Sequence, residues 1–314
     1  MDSNLYGCRV LVFGGEGFIG RHVVSQILSR GGTVLSFDVT MRTGKDTIEH
    51  PGLTRIIGSI SDEELVGKVA QGCDGVVFLA STSLPGSGPA RISGEIAGHV
   101  LLSIRAAEVC RDVGVRTFVF ASSGGTVYGA QSREPVREDA PTVPKNAYGV
   151  SKLTIEHYLR LLAEQSEMKA LSLRITNPYG PGQVATRGQG FVAAAMNSAH
   201  TGEPLHIWGD GSTVRDYIYV GDLAEAIARA VAYGGDRRVL NVGTGLGHSL
   251  LDIARGVEAA TGRPLNLTFD PGRSIDVDYN VLDIGAARRE LDWVPRTDIA
   301  AGLRLTSAWW DRRE

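Results

Sequence analysis

Cysteine is scarce: Cys8, Cys73 and Cys110 are the only three in 314 residues. They are too few and too scattered for a disulfide framework or a thiolate metal site, and no metal is expected. Cys8 and Cys110 stand in apolar-patterned segments and read as small core residues. An excess of basic charge is also missing. A net charge of −3 leaves no footprint for nucleic acid or for an anionic membrane surface. No apolar run reaches membrane-spanning length, and the first residues show no signal-peptide pattern. A soluble, cytoplasmic protein is therefore expected. Internal repeats are absent.

Glycine, by contrast, is abundant, with 40 residues, more than average usage gives. The glycines recur at the ends of apolar runs, where tight turns and ligand loops sit. "CRVLVFGG", "TVLSFD", "LTRIIG", "GVVFLAS", "RTFVFASS" and "ALSLRIT" read as strands. Between them, "FIGRHVVSQILSRG" and the stretches 94–113 and 146–165 read as helices, with Ile96, Val100, Ile104 and Ala107 on one face of the second. Strands alternating with helices predict βαβ units, a doubly wound parallel sheet and right-handed crossovers. After Asn177 the texture turns to "NPYGPGQVATRGQG", too rich in proline and glycine for a core. The expected division is a nucleotide domain over 1–176 and 214–243, with a smaller interleaved α/β substrate domain over 177–213 and 244–314.

"VLVFGGEGFIGRHVV" sets Gly14, Gly17 and Gly20 between the first strand and the first helix. Glycines there allow a tight turn, close approach of backbone to a pyrophosphate, and tight helix–strand packing. Asp38 ends the second strand at about the spacing of 20 residues that a ribose-binding acid requires. Its carboxylate accepts from a ribose diol and repels a 2′-phosphate, which predicts NAD rather than NADP; Arg42 nearby would soften that preference. "PKNAYGVSKLTIEHYL" places Tyr148 and Lys152 four apart, hence on one helix face. A phenol with a pKa of about 10 is a poor base. A neighbouring ammonium and a cationic nicotinamide would favour the phenolate and fit it for proton transfer beside hydride transfer.

These segments, taken in order with "SSGGTVYG", "RITNPYGPGQ", "GDGSTVRDYIYVGDLAEAI", "LNVGTG" and "LDIGAARRELDWVP", resemble the extended short-chain dehydrogenase/reductases, especially the UDP-glucose 4-epimerase-like branch. The resemblance implies a Rossmann-like sheet, a tightly held NAD and a nucleotide sugar, a UDP-sugar foremost, in a cleft between the domains. It makes Tyr148 the acid/base and Lys152 its partner on the nicotinamide ribose. For the cofactor it implies Gly14, Gly17, Phe18, Ile19, Gly20, Asp38, Ser59, Ile60, Leu79, Ala80, Ser81 and Ser122 in addition to that pair. For the substrate it implies Asn177 and the arginines Arg215 and Arg273 at the diphosphate, Trp208 at the base, and Tyr217 and Asp276 at the ribose. The helices 94–113 and 146–165 resemble those that pair in family homodimers.

The chain also departs from the pattern. His99 stands for the asparagine usual in its helix, and is expected to hold a backbone carbonyl. Ser59 replaces an acid near the adenine, "STSLPGSG" lacks a lysine, and Asn280 stands where a tyrosine is frequent. The hydroxyl usual in glucose-type epimerases falls on Gly124, which leaves Ser123 as the first candidate for the catalytic hydroxyl and Thr126 as the alternative. Dehydratases and decarboxylases of the family carry carboxylates in this turn; Gly124, Gly125 and Thr126 carry none. An NAD-dependent nucleotide-sugar 4-epimerase is therefore expected, on a UDP-hexose or UDP-N-acetylhexosamine, with the glycine pair widening the pocket. A 4-keto nucleotide-sugar reductase and a non-catalytic dinucleotide sensor are the alternatives. Such sensors often lose the Tyr/Lys pair that this chain keeps.

Overall fold

A computed structural model describes residues 5–44, 47–81, 92–130, 134–184, 190–272 and 277–312. Its main sheet contains Arg9–Phe13 (β1), Thr33–Asp38 (β2), Leu53–Ile57 (β3), Gly75–Phe78 (β4), Thr117–Ser123 (β5), Lys169–Ile175 (β6) and the edge strand Val239–Val242. The spatial order is β3-β2-β1-β4-β5-β6 followed by Val239–Val242, and every pairing is parallel. Strand β4 is buried throughout and β1 at all but its first residue. Helices on both faces leave such strands no wet side, so their sequences are continuous apolar runs.

One face packs on helices Phe18–Ser29 and Val220–Val231 through Val23, Ile27, Leu223 and Ile227. The other packs on Leu102–Asp112 and Ala147–Glu164 through Ala107, Cys110, Ile155 and Leu159. Cys110 is thus a core residue, as its segment suggested, whereas Cys8 is only half-buried because β1 begins one residue after it. The helix expected over 94–113 is three segments: Ile92–Glu95, a π-helical Ile96–Leu101, and Leu102–Asp112. A π turn winds wider than an α turn and shifts the phase of what precedes it. Ile96 is accordingly 56% exposed, off the core face, while His99 and Val100 are buried.

A second, smaller sheet centres on Val214–Tyr219, which pairs with Asn177–Tyr179, Gly247–Ser249 and Tyr279–Asn280. Leu205–Trp208 pairs separately with Leu267–Asp270. Tyr179, Met196, Tyr217, Val257 and Trp309 share the apolar cluster beneath. From Val220 the chain continues into the helix Val220–Val231, which packs against Phe18–Ser29.

Behind the active-site edge lies a buried polar network. Arg174 of β6 donates from Nη2 to Glu156 Oε2 at 2.8 Å and from Nε to both carboxylate oxygens at 3.2 Å. Ser122 donates its hydroxyl to the same carboxylate, and Arg174 lies 4.8 Å from the Tyr128 ring centroid. Tyr128 in turn donates to Asn241 Oδ1 at 2.6 Å. Removing one partner of a buried pair strands the other, so Glu156→Gln is expected to cost about 3–5 kcal/mol by denaturant unfolding. Replacing both as Glu156→Leu/Arg174→Met should recover most of that loss.

Candidate active site

The cofactor crevice opens at the carboxyl ends of β1 and β4, where the strand order reverses and α/β sheets bind ligands. Gly14 adopts φ +79°. A Cβ on it would lie 3.1 Å from Ala80 N and 3.2 Å from the Leu79 carbonyl carbon, so the loop rests directly on residues 79 and 80. A Cβ on Gly20 would sit 2.0 Å from Gly14 O, an approach that only glycine permits. Helix Phe18–Ser29 has Gly17 at its N-cap with no side-chain hydrogen bond. Its first N–H groups therefore point out of the loop, ready for an anion such as a pyrophosphate.

Phe18 and Ile19 open that helix, and Ile19 packs on the core. Asp38 closes β2; its Oδ2 accepts from Glu16 N at 3.1 Å and its main-chain O from Gly58 N at 2.9 Å. Ser59 is exposed one residue further on, and Ile60 packs against the sheet. Ser81 follows Ala80 on the surface, and Ser122 turns to Glu156 behind β5. The residues present fit a dinucleotide: a bare glycine loop, an uncapped helix end and a carboxylate at the ribose position.

Beyond the end of β5, Asn146 caps helix Ala147–Glu164 by accepting from Gly149 N at 2.8 Å. A Cβ on Gly149 would meet Thr126 O at 2.7 Å. This contact sets the start of the Tyr148 helix against the turn after β5. The Thr126 hydroxyl is buried and has no partner among the described residues, and Ser123 is 9% exposed. Lys152 is buried and donates to Ala121 O at 2.9 Å, with its Nζ 5.4 Å from the Tyr148 ring centroid. Burial pushes its pKa down to about 7, against the opposing pull of Glu156 and Glu95.

The protein's own groups do not lower Tyr148: burial first, then the charge of Glu95, push the phenol well above its usual value. His99 differs from expectation too. Its ring lies parallel to Tyr148 (9°, centroids 6.4 Å apart) and its buried Nε2 has no hydrogen-bond partner among the described residues. Glu95, buried at the foot of the same helical run, comes within 3.5 Å of Ser151 Oγ. Neither relation is visible without the π turn.

The glycine pair divides. A Cβ on Gly124 would strike Leu282 Cδ1 at 2.4 Å, and Asn280 Nδ2 donates to Gly124 O at 3.1 Å. Gly124 therefore marks a close packing contact and adds no room. Gly125, with nothing within 4 Å of such a Cβ, faces open space.

In the small domain, Asn177 donates to Asp216 O at 2.9 Å and pairs across strands with Tyr217. Tyr217 is buried in the small core, 5% exposed. Trp208 is 43% exposed at the end of its strand, and Arg215 donates from Nη1 to Val214 O at 2.9 Å. Arg273 and Asp276 lie outside the described residues. Asp216, which sequence reasoning passed over, accepts from Thr244 N, Thr244 Oγ1 and Gly245 N at 2.7–3.0 Å and so joins "RDY" to "VGTG".

A model of the NAD dependent epimerase/dehydratase family matches residues 10–243. The chain belongs to that family. NAD is its cofactor. The chain is 32% identical over 304 residues to UDP-glucose 4-epimerase of Mycolicibacterium smegmatis, covering 95% of this chain and 97% of the relative. It is 30% identical over 309 residues to dTDP-4-dehydro-6-deoxyglucose reductase of Escherichia coli, covering 96% and 97%. Among solved structures, Thermus thermophilus UDP-glucose 4-epimerase in complex with NAD superposes with a TM-score of 0.88 at 33% identity, covering 96% of this chain and 99% of that one. The family member described here thus keeps the full fold of enzymes that epimerise or reduce nucleotide sugars.

Burial first, and then the Lys152 charge, depress His99 from 6.5 to about 3. Between these values the unfolded chain binds the proton and the folded chain does not, so stability falls as pH drops through this window. His99→Phe should remove that contribution, flattening the pH dependence of unfolding by up to about 1.4 kcal/mol per pH unit. Denaturant titrations at pH 4 to 7 measure it, and equal slopes in the two proteins would count against a buried neutral imidazole.

Proposed function

We propose that this protein is an NAD-dependent nucleotide-sugar 4-epimerase acting on a UDP-hexose or UDP-N-acetylhexosamine. The observation that carries the reading is the turn after β5. It sets Ser123, Thr126, Tyr148 and Lys152 around one strand end and brings no carboxylate from residues 124–126. Elimination across a sugar ring needs a separate acid and base. Epimerisation at one carbon needs only one group that takes a hydroxyl proton and later returns it.

NAD supplies a cationic nicotinamide that accepts hydride from the sugar and gives it back. Tyr148 removes the proton of the 4-hydroxyl, with Ser123 as first candidate to hold that hydroxyl and Thr126, whose hydroxyl lacks a partner among the described residues, as the other. Lys152, anchored on Ala121 O, orients toward the Tyr148 ring and the ribose. Asn177 and Arg215, with Arg273, hold the diphosphate, since guanidinium groups bind phosphate oxygens in pairs. Trp208 offers an exposed face for the base, while Tyr217 and Asp276 belong to the ribose end. Held by its diphosphate, the sugar ring would be free to present either face to the cofactor, and the open space at Gly125 suits a bulky ring substituent.

The E. coli relative supports a second reading, reduction of a 4-keto nucleotide sugar, which consumes reduced cofactor stoichiometrically. Incubation with UDP-galactose, UDP-GlcNAc and UDP-GalNAc without added NAD, followed by NMR, separates the two. Epimerised sugar is expected; a panel of nucleotide sugars that yields none sinks the proposal. Tyr148→Phe should lower kcat by about 10²–10⁴-fold while the cofactor stays bound.

We further infer a cytoplasmic homodimer. Ile96, Leu101, Val150, Tyr158 and Leu161 are all at least 40% exposed on the two neighbouring helical runs. A face of that kind calls for a second copy. Leu161→Glu should shift sedimentation from dimer to monomer; a wild-type monomer would rule the dimer out.

A further inference from the structure

The glycine loop contains one acid, Glu16, and the structure ties it to two arginines. Its Oε1 accepts from Ser36 Oγ at 2.9 Å and lies 3.3 Å from Arg55 Nε. Its Oε2 accepts from the Arg42 main-chain N–H at 3.3 Å, and its carbonyl accepts from Arg42 Nε at 2.9 Å. Residue 42 is therefore held on residue 16 at both its backbone and its guanidinium. Arg55 is held from its other side as well, because its Nη2 donates to Ile48 O. The Glu16 side chain is only 12% exposed, so its pairing with Arg55 is largely shielded from solvent. The loop lies close against β2: a Cβ on Gly15 would come 2.3 Å from Ser36 Oγ. Finally, Glu16 N donates to Asp38 Oδ2 at 3.1 Å, which joins this cluster to the carboxylate at the ribose position.

We propose that Glu16 is a second determinant of dinucleotide choice beside Asp38, excluding NADP by keeping Arg42 from a 2′-phosphate. A phosphate on the ribose adds about −1.5 to −2 charge. An arginine at this rim is the natural receptor for it, through paired hydrogen bonds. Arg42 has the right residue type and place, yet its Nε is held on the Glu16 main-chain carbonyl and its main-chain N–H on the Glu16 carboxylate. An incoming 2′-phosphate meets the carboxylates of Asp38 and Glu16 and an arginine already anchored to the loop. A 2′-hydroxyl needs only Asp38 as acceptor and is untouched. The assignment concerns the dinucleotide crevice and stands whichever sugar the protein turns over.

The test supplies purified protein with equimolar NAD and NADP until the retained ratio is constant, then quantifies bound nucleotide by mass spectrometry after gel filtration. Wild type should retain NAD. Glu16→Gln, which keeps shape and removes charge, should raise the bound NADP:NAD ratio about tenfold. Arg42→Ala should leave the wild-type ratio unchanged but erase most of the gain when combined as Glu16→Gln/Arg42→Ala, a coupling that only linked residues show. Glu16→Ser serves in the same cycle should the glutamine variant not fold, as judged by its circular dichroism. A folded Glu16 variant with the wild-type ratio, or one whose gain persists without Arg42, overturns the proposal.

Discussion

The guanidinium of Arg174 joins three elements that must agree before any chemistry is possible. It rises from β6, pairs with Glu156 on the helix that carries Tyr148 and Lys152, and lies on Tyr128 at the far end of the turn after β5. Glu156 also takes the Ser122 hydroxyl, so strand, turn and helix share one carboxylate. A buried pair of this kind contributes less net stability than its distances suggest, because both ions give up water. Its effect is on geometry. With its hydrogen bonds met, few other packings of these elements satisfy it, and Ser123, Thr126, Tyr148 and Lys152 inherit that constraint.

The same pair acts electrostatically on the next residue inward. Lys152 loses its hydration where it meets Ala121 O and the Phe120 ring, and its proton is held at near-neutral pH with help from Glu156 and Glu95. Without those carboxylates a lysine so buried would release its proton. The network's carboxylate therefore favours the charged form of the ammonium that Ala121 O holds in place.

Much of this was legible in the sequence, for physical reasons particular to each element. The central strands of the main sheet are apolar on both faces, so "VLVF", "VVF" and "FVFASS" announce themselves within a residue or two of their ends. Tyr148 and Lys152 were readable because four residues is one helical turn, and the glycine loop because its spacing obeys contact distances. What was not legible depends on packing across long separations. Nothing in "EIAGHVL" marks a π turn, so the exposure of Ile96 and the parallel rings of His99 and Tyr148 could not be foreseen. Gly124 looked like a gap in a pocket, but its Cβ position belongs to Leu282, 158 residues on. Periodicity reports which face of an element is apolar, and it does not report which side chain from elsewhere fills the space beside a glycine.

The charges in the site bear on the direction of proton flow. Burial and Glu95 favour the protonated form of the Tyr148 phenol. Set against a neutral dihydronicotinamide, such a phenol is an acid, fit to protonate a sugar oxygen. Set against the oxidised, cationic ring, its proton is easier to lose, because the cation favours the phenolate as any nearby positive charge does. A pocket of low effective dielectric magnifies that difference between the two redox states. Under the proposed function, Tyr148 would be biased toward base beside an oxidised ring and toward acid beside a reduced one, the two roles an epimerisation requires. A one-way reductase would need only the second. The desolvation that first looks unfavourable to Tyr148 as a base would then let one residue serve both halves without a carboxylate in the turn.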